Sequence, residues 1–243
     1  MPRFFITKEE IGESFMVLTG ENAAHAKVLR LKNGDEVTVC DGEGTDYRCT
    51  VSDTAPGRIS LVVHAASPAQ SEAAVSCSIY MAFAKADKFE HVIQKAIELG
   101  ASELVCFPSA RCVSRPDEKS LSKKLERWQK IAASAAEQSR RGAIPRVIAL
   151  SSYKEALERA AKADLAVCFY ENENDLTFRA VIEQTDIRTA ALLTGPEGGF
   201  EPEEIRQAEE AGLRICTLGS RILRCETAPL CALSALMYAV GEF

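Results

Sequence analysis

Residues 190–243, AALLTGPEGGFEPEEIRQAEEAGLRICTLGSRILRCETAPLCALSALMYAVGEF, decide the fold of this protein. The apolar run 190–193 is short enough to be a buried parallel strand, and the glycines and proline of 194–200 end it. Residues 213–218 form a second apolar run, and the chain turns after it at Gly219. The pattern predicts two strands, each followed by a glycine-bearing loop.

Helix signals follow both loops. Pro202 suits the first turn of a helix, and the neighbouring acids Glu201, Glu203 and Glu204 suit its positive end. Gly212 ends that helix. A last helix begins at about Thr227, which leaves Pro229 in the first turn, where proline is tolerated. The stretch is therefore expected to be α/β.

The two loops lie at the carboxyl ends of successive strands, where open α/β sheets bind ligands. Glu197 and the acids that open the following helix would repel a polyphosphate, whereas exposed backbone groups of the glycines suit a neutral heterocycle such as adenine. Acidic surroundings also suit a cation. S-adenosylmethionine, an adenine nucleoside with a sulfonium, meets both conditions. On the residues alone, two ordinary tight turns explain the glycines equally well.

Five stretches carry a family resemblance over nearly the whole chain. TGPEGGF (194–200) with LGSRILRCETA (218–228) resembles the two C-terminal motifs of SPOUT methyltransferases, and more narrowly those of the RsmE family, the 16S rRNA uridine-N3 methyltransferases. HAKVLRLKNGDEV (25–37), KADKFEHVIQKAIELGASELV (85–105) and ERWQKIAASAAEQSRRGAIPRV (126–147) resemble the same family. Ser220 and Cys225 depart from residues that are common there.

The resemblance implies the fold and the activity. It implies an α/β protein with a C-terminal SPOUT domain, a trefoil-knotted parallel sheet, over residues 74–243, preceded by a small PUA-like β-barrel that binds RNA over residues 1–70. It also implies S-adenosylmethionine as cofactor, a homodimer, and methylation of N3 of a uridine near the decoding site of 16S rRNA in the small ribosomal subunit. The substrate is expected to be the assembled subunit.

Periodicity is consistent with both domains. Strands are predicted at 4–6, 14–18, 36–40, 47–51 and 59–63, a helical turn at 25–31, and a linker at 65–74. Beyond it, strands at 75–83, 104–107, 147–150, 165–170 and 189–193 alternate with helices, which is typical of a parallel sheet. Asp87 with Glu90 predicts a capping-box start, and 121–139 a long basic helix that contains Trp128.

Methylation at N3 requires loss of the imide proton and stabilisation of negative charge on the uracil oxygens. We expect Arg224 to stabilise that charge, with Arg221 second, and Glu226 or Glu171 to accept the proton. Equally open are Arg224 paired to the cofactor carboxylate and Glu226 at a helix N-terminus. Cys225 and Cys231 need not be nucleophiles. The predicted cofactor-binding residues are Leu193, Thr194, Gly195, Glu197, Gly198, Gly199, Leu218, Gly219, Ile222, Leu223, Arg224 and Thr227.

Charge is unevenly distributed along the chain. The net charge is −6, yet residues 111–146 contain ten Lys or Arg against four acids. Such a patch can bind phosphates whatever the total, although a solvated helix face or surface ion pairs explain it as well. The predicted RNA contacts are Arg3, Arg30, Arg111, Arg140 and Arg141.

Composition limits the class of protein and the functions that remain open. The hydrophobic and charged fractions, 47% and 26%, are those of a soluble globular protein, and no apolar run is long enough for a membrane span. Nine cysteines without a Cys-x-x-Cys pair and only three histidines predict reduced thiols in the cytoplasm and no metal site. Alternatives are a SPOUT enzyme for tRNA or 23S rRNA, or a non-catalytic ribosome-assembly protein that binds RNA. A Rossmann dehydrogenase is excluded because Gly-x-Gly-x-x-Gly is absent.

Overall fold

The chain divides into two units, one formed by residues 1–72 and 136–144 and the other by residues 73–135 and 145–243. The computed structural model describes residues 1–85, 87–183 and 186–243. The helix Glu118–Gln138 begins in the second unit, and its last residues are counted with the first.

The first unit is a curled five-stranded sheet with one helix. Its strands are β1 (Arg3–Phe5), β2 (Phe15–Leu18), β3 (Glu36–Cys40), β4 (Thr45–Ala55) and β5 (Arg58–Pro68), and its helix is α1 (Gly20–Val28). The strand order is β1-β3-β4-β5-β2, with β1 parallel to β3 and the other pairs antiparallel. Alternate apolar side chains, among them Phe4, Met16, Val37 and Leu61, fill the inside of the curl. The sheet is a half-barrel.

Residues 136–144 belong to this unit because hydrogen bonds hold them to it. The amide of Gly44 donates to the carbonyl of Gly142 at 3.0 Å. The carboxylate of Glu72 accepts hydrogen bonds from the amide of Gly142 at 2.8 Å and from the guanidinium of Arg141 at 2.5 Å. Glu72 therefore fixes the segment at its centre.

The second unit contains a six-stranded sheet that is parallel throughout. Its strands are β6 (Ser76–Ala82), β7 (Glu103–Phe107), β8 (Arg146–Ala149), β9 (Leu165–Phe169), β10 (Thr189–Thr194) and β11 (Arg214–Cys216), in the order β11-β9-β10-β6-β7-β8. β7 and β9 are buried along their whole length, as expected of parallel strands covered on both faces. The carboxyl ends of β9, β10 and β11 therefore lie side by side.

Five helices lie between these strands along the chain, and a sixth follows the last strand. They are α2 (Lys88–Glu98), α3 (Glu118–Gln138), α4 (Tyr153–Ala160), α5 (Phe178–Ile182), α6 (Pro202–Glu210) and α7 (Ala228–Ala239). The apolar stripe of α2, which includes Phe89 and Ile93, is buried. Pro202 and Pro229 both occupy the first turns of their helices, as the sequence predicts. The chain after β11 is held against the chain before α5, because the amide of Thr217 donates to the carbonyl of Leu176 at 2.9 Å. The trefoil knot stays a prediction.

Four local predictions are corrected. Residues 65–68 are not linker but the end of β5, because they pair with β4. α1 is a full helix that begins at Gly20 rather than a turn at 25–31. The strand predicted at 213–218 is only Arg214–Cys216. Asp87 makes no side-chain capping bond, and the Glu90 carboxylate pairs with Arg127 at 2.6 Å.

In the described ranges, no helix is both long and apolar enough to span a membrane.

Candidate active site

Three loops at the carboxyl ends of β9, β10 and β11 surround a cavity of about 490 Å³. This volume is typical of small-molecule sites, and the position is where parallel sheets bind ligands. The lining residues are Lys88, Phe169, Tyr170, Glu171, Asn174, Thr194, Gly195, Pro196, Glu197, Gly198, Gly199, Thr217, Leu218, Gly219, Ser220, Arg221, Ile222, Leu223, Arg224, Cys225 and Ala228.

The loop after β10 is tightly packed at two of its glycines. A Cβ at Gly195 would lie 3.2 Å from the Cα of Gly199. Gly199 has φ of 66°, and a Cβ there would overlap the carboxylate of Glu171. The backbone of this loop and the Glu171 side chain therefore pack directly against each other at the cavity wall.

A buried carboxylate anchors the end of the same loop. Glu204 accepts a hydrogen bond from the amide of Ala110 at 2.8 Å and one from the amide of Glu201 at 2.9 Å, which completes the capping box of α6. Arg111 adds a third contact, because its guanidinium donates to the carbonyl of Gly198 at 3.0 Å. The loop is thus held from the chain that follows β7 as well as by its own helix.

The loop after β11 forms the opposite wall. Thr217 Oγ1 accepts a hydrogen bond from the amide of Gly219 at 3.1 Å, and Gly219 has φ of 108°, a conformation that favours glycine. Beyond it Arg221, Ile222 and Arg224 are exposed, and Ile222, at 84%, is the most exposed large apolar residue of the described chain. The wall therefore presents backbone groups, three apolar residues (Leu218, Ile222 and Leu223) and two guanidinium groups.

Lys88, at the start of α2, connects the two walls. Its ammonium nitrogen lies 3.4 Å from Glu197 Oε1, on the β10 loop, and 3.2 Å from Glu226 Oε2, on the β11 loop. Burial opposes the charged ammonium, but the hydrogen bond to Glu226 and the nearby carboxylates outweigh it and raise the pKa of Lys88. The pKa values of Glu197 and Glu226 are both lowered, since hydrogen bonds and Lys88 outweigh the effect of their burial.

The Cys225 thiol belongs to the same cluster. It lies 3.6 Å from the Lys88 ammonium and donates a hydrogen bond to Glu226 Oε2 at 3.2 Å. Burial, with the hydrogen bond to Glu226, raises the pKa of Cys225 to about 11. The thiol is therefore protonated at neutral pH and unsuited to act as a nucleophile.

Comparison with known proteins agrees with this architecture. The model of an RNA methyltransferase domain matches residues 71–237, and the model of an RNA methyltransferase PUA domain matches residues 18–63. The ribosomal RNA small subunit methyltransferase E of Bacillus subtilis strain 168 is 37% identical over 98% of this chain and 96% of its own length. The chain belongs to the ribosomal RNA small subunit methyltransferase E family. It is an RNA methyltransferase with an α/β catalytic domain preceded by a PUA domain.

Solved structures of the family have the same fold. A ribosomal RNA small subunit methyltransferase E from Neisseria gonorrhoeae, bound to S-adenosyl methionine, is 30% identical with a TM-score of 0.85 and covers 98% of this chain and 97% of that one. A putative methyltransferase from Legionella pneumophila, in complex with the cofactor SAM, is 28% identical with the same TM-score and the same coverage.

The cavity of this family member contains most of the predicted cofactor-binding residues. Leu193 and Thr227 do not line it: Leu193 is fully buried in β10, and Thr227 is the exposed residue before α7. Of the predicted catalytic residues, Glu171 and Arg224 line the cavity, and Glu226 lies beside it in the Lys88 cluster. Those that line it are Thr194, Gly195, Glu197, Gly198, Gly199, Leu218, Gly219, Ile222, Leu223 and Arg224.

The predicted RNA-binding arginines lie in different environments. Arg3 donates two hydrogen bonds to Asp46, at 2.5 and 2.7 Å, and the Arg141 side chain is only 6% exposed in its ion pair with Glu72. Both are structural residues of the first unit, and the prediction that they bind RNA is not supported by their geometry. Arg30 and Arg140 are exposed, and Arg111 lies against the β10 loop.

The sequence analysis missed several residues that line the cavity, among them Phe169, Tyr170, Asn174 and the charged Lys88. Lys88 lies shortly after the carboxyl end of β6, and β6 is the neighbour of β10 in the sheet. The rule that ligands bind at carboxyl strand ends could have placed the chain after β6 beside the glycine loop. That inference needed the strand order, which the sequence pattern does not supply.

In residues 1–85, 87–183 and 186–243, no group of three or more His, Cys, Asp or Glu side chains is arranged to hold a metal ion. The nine cysteines are all free thiols.

Proposed function

We propose that this protein transfers the methyl group of S-adenosylmethionine to N3 of a uridine in 16S rRNA, near the decoding site of the small ribosomal subunit. The observation that carries the proposal is the cavity formed by two glycine loops, with Arg221, Arg224 and Glu171 at its edge. Family membership supports the substrate class, because the relatives' names state small-subunit ribosomal RNA.

The residues of the cavity fit S-adenosylmethionine. Gly195 and Gly199 leave backbone at the cavity wall, where a Cβ would crowd the loop backbone or overlap Glu171, and Glu171, Glu197 and Glu226 give the surroundings negative charge for a cation. The family relative from Neisseria gonorrhoeae binds the same molecule on a closely similar chain. Bound there, S-adenosylmethionine supplies a methyl group activated by its sulfonium.

Arg224 is our candidate for stabilising the uracil as its N3 proton leaves. Its guanidinium is exposed at the cavity, and no ion pair of the described chain involves it. A fixed positive charge with forked donors suits a carbonyl oxygen on which negative charge develops. Arg221, three residues earlier in the same loop, is the second candidate.

Glu171 is a better candidate than Glu226 for accepting the N3 proton. The lowered pKa of Glu226, together with its bonds to Lys88 and Cys225, makes it a weak base that is already occupied. Glu171 lines the cavity, and in the described chain its carboxylate has no hydrogen-bond donor. Its oxygens are therefore available to a substrate proton.

The homodimer is part of the proposal. The outer face of α7 is largely apolar and includes exposed Tyr238, with a side chain 74% exposed, and exposed Cys231, Ala235 and Ala239; exposed Ile222 precedes the helix. An apolar helix face of this kind suits a second copy of the chain. We also propose a cytoplasmic location, because nine free thiols suit a reducing compartment.

The deciding experiment is methyl transfer from labelled S-adenosylmethionine to small ribosomal subunits that lack their native methylation, followed by nucleoside analysis. We expect labelled 3-methyluridine. Label in tRNA or 23S rRNA but not in the small subunit would assign a different substrate. Cofactor binding without transfer to any of these RNAs would contradict the reaction, and absence of cofactor binding would favour the non-catalytic assembly protein.

A further inference from the structure

Two arginines of the first unit hold a backbone conformation that side chains rarely adopt. Arg30 has φ of 57° and Arg140 has φ of 61°, and no other non-glycine residue of the described chain has positive φ. In this left-handed region the Cβ crowds the backbone, so the conformation is normally left to glycine. Both side chains are exposed, so burial does not explain why arginine is there.

Both arginines occupy the same position of the same helix-ending motif. At the end of α1, the amide of Arg30 donates to the carbonyl of Lys27 at 3.0 Å, and the next amide, of Leu31, donates to the carbonyl of Ala26 at 3.2 Å. This pair of bonds is the Schellman motif, in which the left-handed residue is usually glycine.

The end of α3 repeats the pattern. The amide of Arg140 donates to the carbonyl of Glu137 at 3.1 Å, and the amide of Arg141 donates to the carbonyl of Ala136 at 2.8 Å. Glycine would make the same turn without the steric penalty, so the geometry of the turn alone does not account for arginine.

Helices of the second unit show what the turn requires by itself. α2, α6 and α7 end with the same pair of hydrogen bonds, and their left-handed residues are Gly100, Gly212 and Gly241. Within the described chain, therefore, glycine serves this turn in the second unit and arginine serves it in the first.

One contact brings the two helix ends of the first unit together. His25 Nδ1, in the last turns of α1, lies 2.9 Å from Glu137 Oε1, near the end of α3. Arg30 follows His25 by five residues and Arg140 follows Glu137 by three. The two arginines thus branch from neighbouring chain ends, each within two helical turns of the same contact.

Neither guanidinium is neutralised by the protein. Arg3 and Arg141 have carboxylate partners, whereas in the part of the chain that the structure describes Arg30 and Arg140 have none. Exposed Lys27, the penultimate residue of α1, adds a further positive charge near Arg30. The two helix ends therefore carry cations that are available to an external anion.

We propose that Arg30 and Arg140 act as one pair that binds neighbouring phosphates of the substrate RNA, and that the strained turns are retained for these side chains. Strained residues persist where the surrounding structure uses them, and a guanidinium can bind a phosphate through two hydrogen bonds. The inference rests on the proposed RNA substrate, and it adds the place at which the first unit would bind that RNA. The competing explanation is that each arginine only offsets the negative end of its helix dipole.

Replacement by glycine separates these explanations, because glycine removes the guanidinium and relieves the strain together. In the full-length Arg30→Gly/Arg140→Gly variant we expect Tm to stay constant or rise, and the affinity for small ribosomal subunits that lack their native methylation to fall at least about tenfold. The plot of log affinity against log salt should become shallower by about 1.4, since each lost single-strand phosphate contact contributes about 0.7. Calorimetric affinity for S-adenosylmethionine should not change.

Arg48→Gln/Arg58→Gln is the matched control, because it removes two exposed arginines without ion-pair partners from the same unit, neither of which has positive φ. Equal weakening of RNA binding by this control would show a general charge effect and overturn the pair. A lower Tm in the glycine variant, with unchanged RNA affinity, would show that the two arginines only stabilise their helix ends, and it would overturn the proposal. If the wild-type protein and the glycine variant bind and methylate the RNA equally, the proposed role of the arginine pair is wrong and the proposed function stands. If the wild-type protein does not bind these small subunits, the proposed function fails as well.

Discussion

At the scale of single residues, the site depends on one ammonium group between two loops. Lys88 is the cation that lies beside both Glu197 and Glu226, and it reaches each within 3.4 Å. Without it, two carboxylates would face each other across the cavity edge, and like charges at this separation repel. Lys88 is therefore a positioning residue that fixes the two walls relative to each other.

Lys88→Met should weaken the binding of S-adenosylmethionine about tenfold and lower kcat less, because the loops lose their connection while Arg224 and Glu171 remain. Lys88→Arg, which keeps the charge, should recover most of the affinity. Calorimetry and a comparison of KM with kcat check this. Equal affinity in the wild-type and methionine proteins would contradict the positioning role.

Arg224→Gln tests which partner its guanidinium serves. If Arg224 stabilises charge on the uracil, we expect kcat to fall about 10²-fold with the Kd for S-adenosylmethionine unchanged. If it instead pairs with the cofactor carboxylate, the Kd should rise and kcat at saturation should change little. Single-turnover kinetics with calorimetry on the same protein distinguish the two results.

At the scale of elements, the glycine loop after β10 is shaped by contacts that leave no space for a side chain. Gly199 combines φ of 66° with direct packing against Glu171. Gly212, at the end of α6, also has positive φ, but a Cβ there would meet nothing within 4 Å. A comparison of substitutions at these two glycines therefore distinguishes the effect of backbone strain from the effect of overlap with the site.

Gly199→Ala should destabilise the protein by about 1–2 kcal/mol and abolish tight binding of S-adenosylmethionine, because the new methyl group displaces Glu171. Gly212→Ala should show a similar stability loss with normal cofactor binding. Thermal unfolding and calorimetry measure the two effects. Normal binding of S-adenosylmethionine by the Gly199→Ala protein would contradict this prediction, because it would mean that the loop accommodates the methyl group.

Segment 136–144 is a second element whose position depends on one carboxylate. Burial raises the pKa of Glu72, but hydrogen bonds from Arg141 and from the amides of Gly142 and Ala143 outweigh it, so its pKa is lowered. A lowered pKa in the folded state means stabilisation that is complete above the unfolded value of about 4.3 and is lost as pH falls through the folded value.

Glu72→Gln should therefore cost about 3 kcal/mol at pH 7, because it leaves the buried guanidinium of Arg141 without its counter-charge. The difference in unfolding free energy between wild type and variant should shrink as the pH falls below about 4. Denaturant unfolding at several pH values measures it. Glu183→Gln, which removes an exposed partner of Arg179, is the control and should cost less than 1 kcal/mol. A difference that does not depend on pH would contradict the role of the Glu72 charge.

At the scale of the whole molecule, an acidic protein is proposed to act on a polyanion. The net charge is −6, so RNA binding must depend on local cations that are not already paired. Many basic residues of 111–146 are paired, including Arg127 with Glu90 and Arg146 with Glu103. The number of charged residues in a segment therefore overstates the charge that is available to RNA.

Dimerisation also belongs to this scale. Tyr238→Glu should shift the protein toward monomer, because it places a charge on the exposed apolar face of α7. Light scattering over a range of concentrations measures the mass. Phe15→Glu, which changes an exposed aromatic residue of β2, is the matched control and should leave the mass unaltered. Monomeric wild-type protein would refute the dimer.

The sequence by itself determined the elements around the two glycine loops, the α/β class, and the family. These depend on signals a few residues long: glycine and proline positions, acids before a helix, and apolar runs. It also identified most residues of the cavity, because they lie in two continuous stretches. It could not decide which charged residues are paired, since each partner lies far away along the chain.

Only the tertiary structure decided three matters. It joined Lys88 to residues more than a hundred positions later, it buried Arg141 against Glu72, and it placed residues 136–144 with the first unit. It also left Arg30 and Arg140 exposed with positive φ. The physical reason is that local propensity acts over a few residues, whereas burial and ion pairing depend on which distant segments the fold brings into contact.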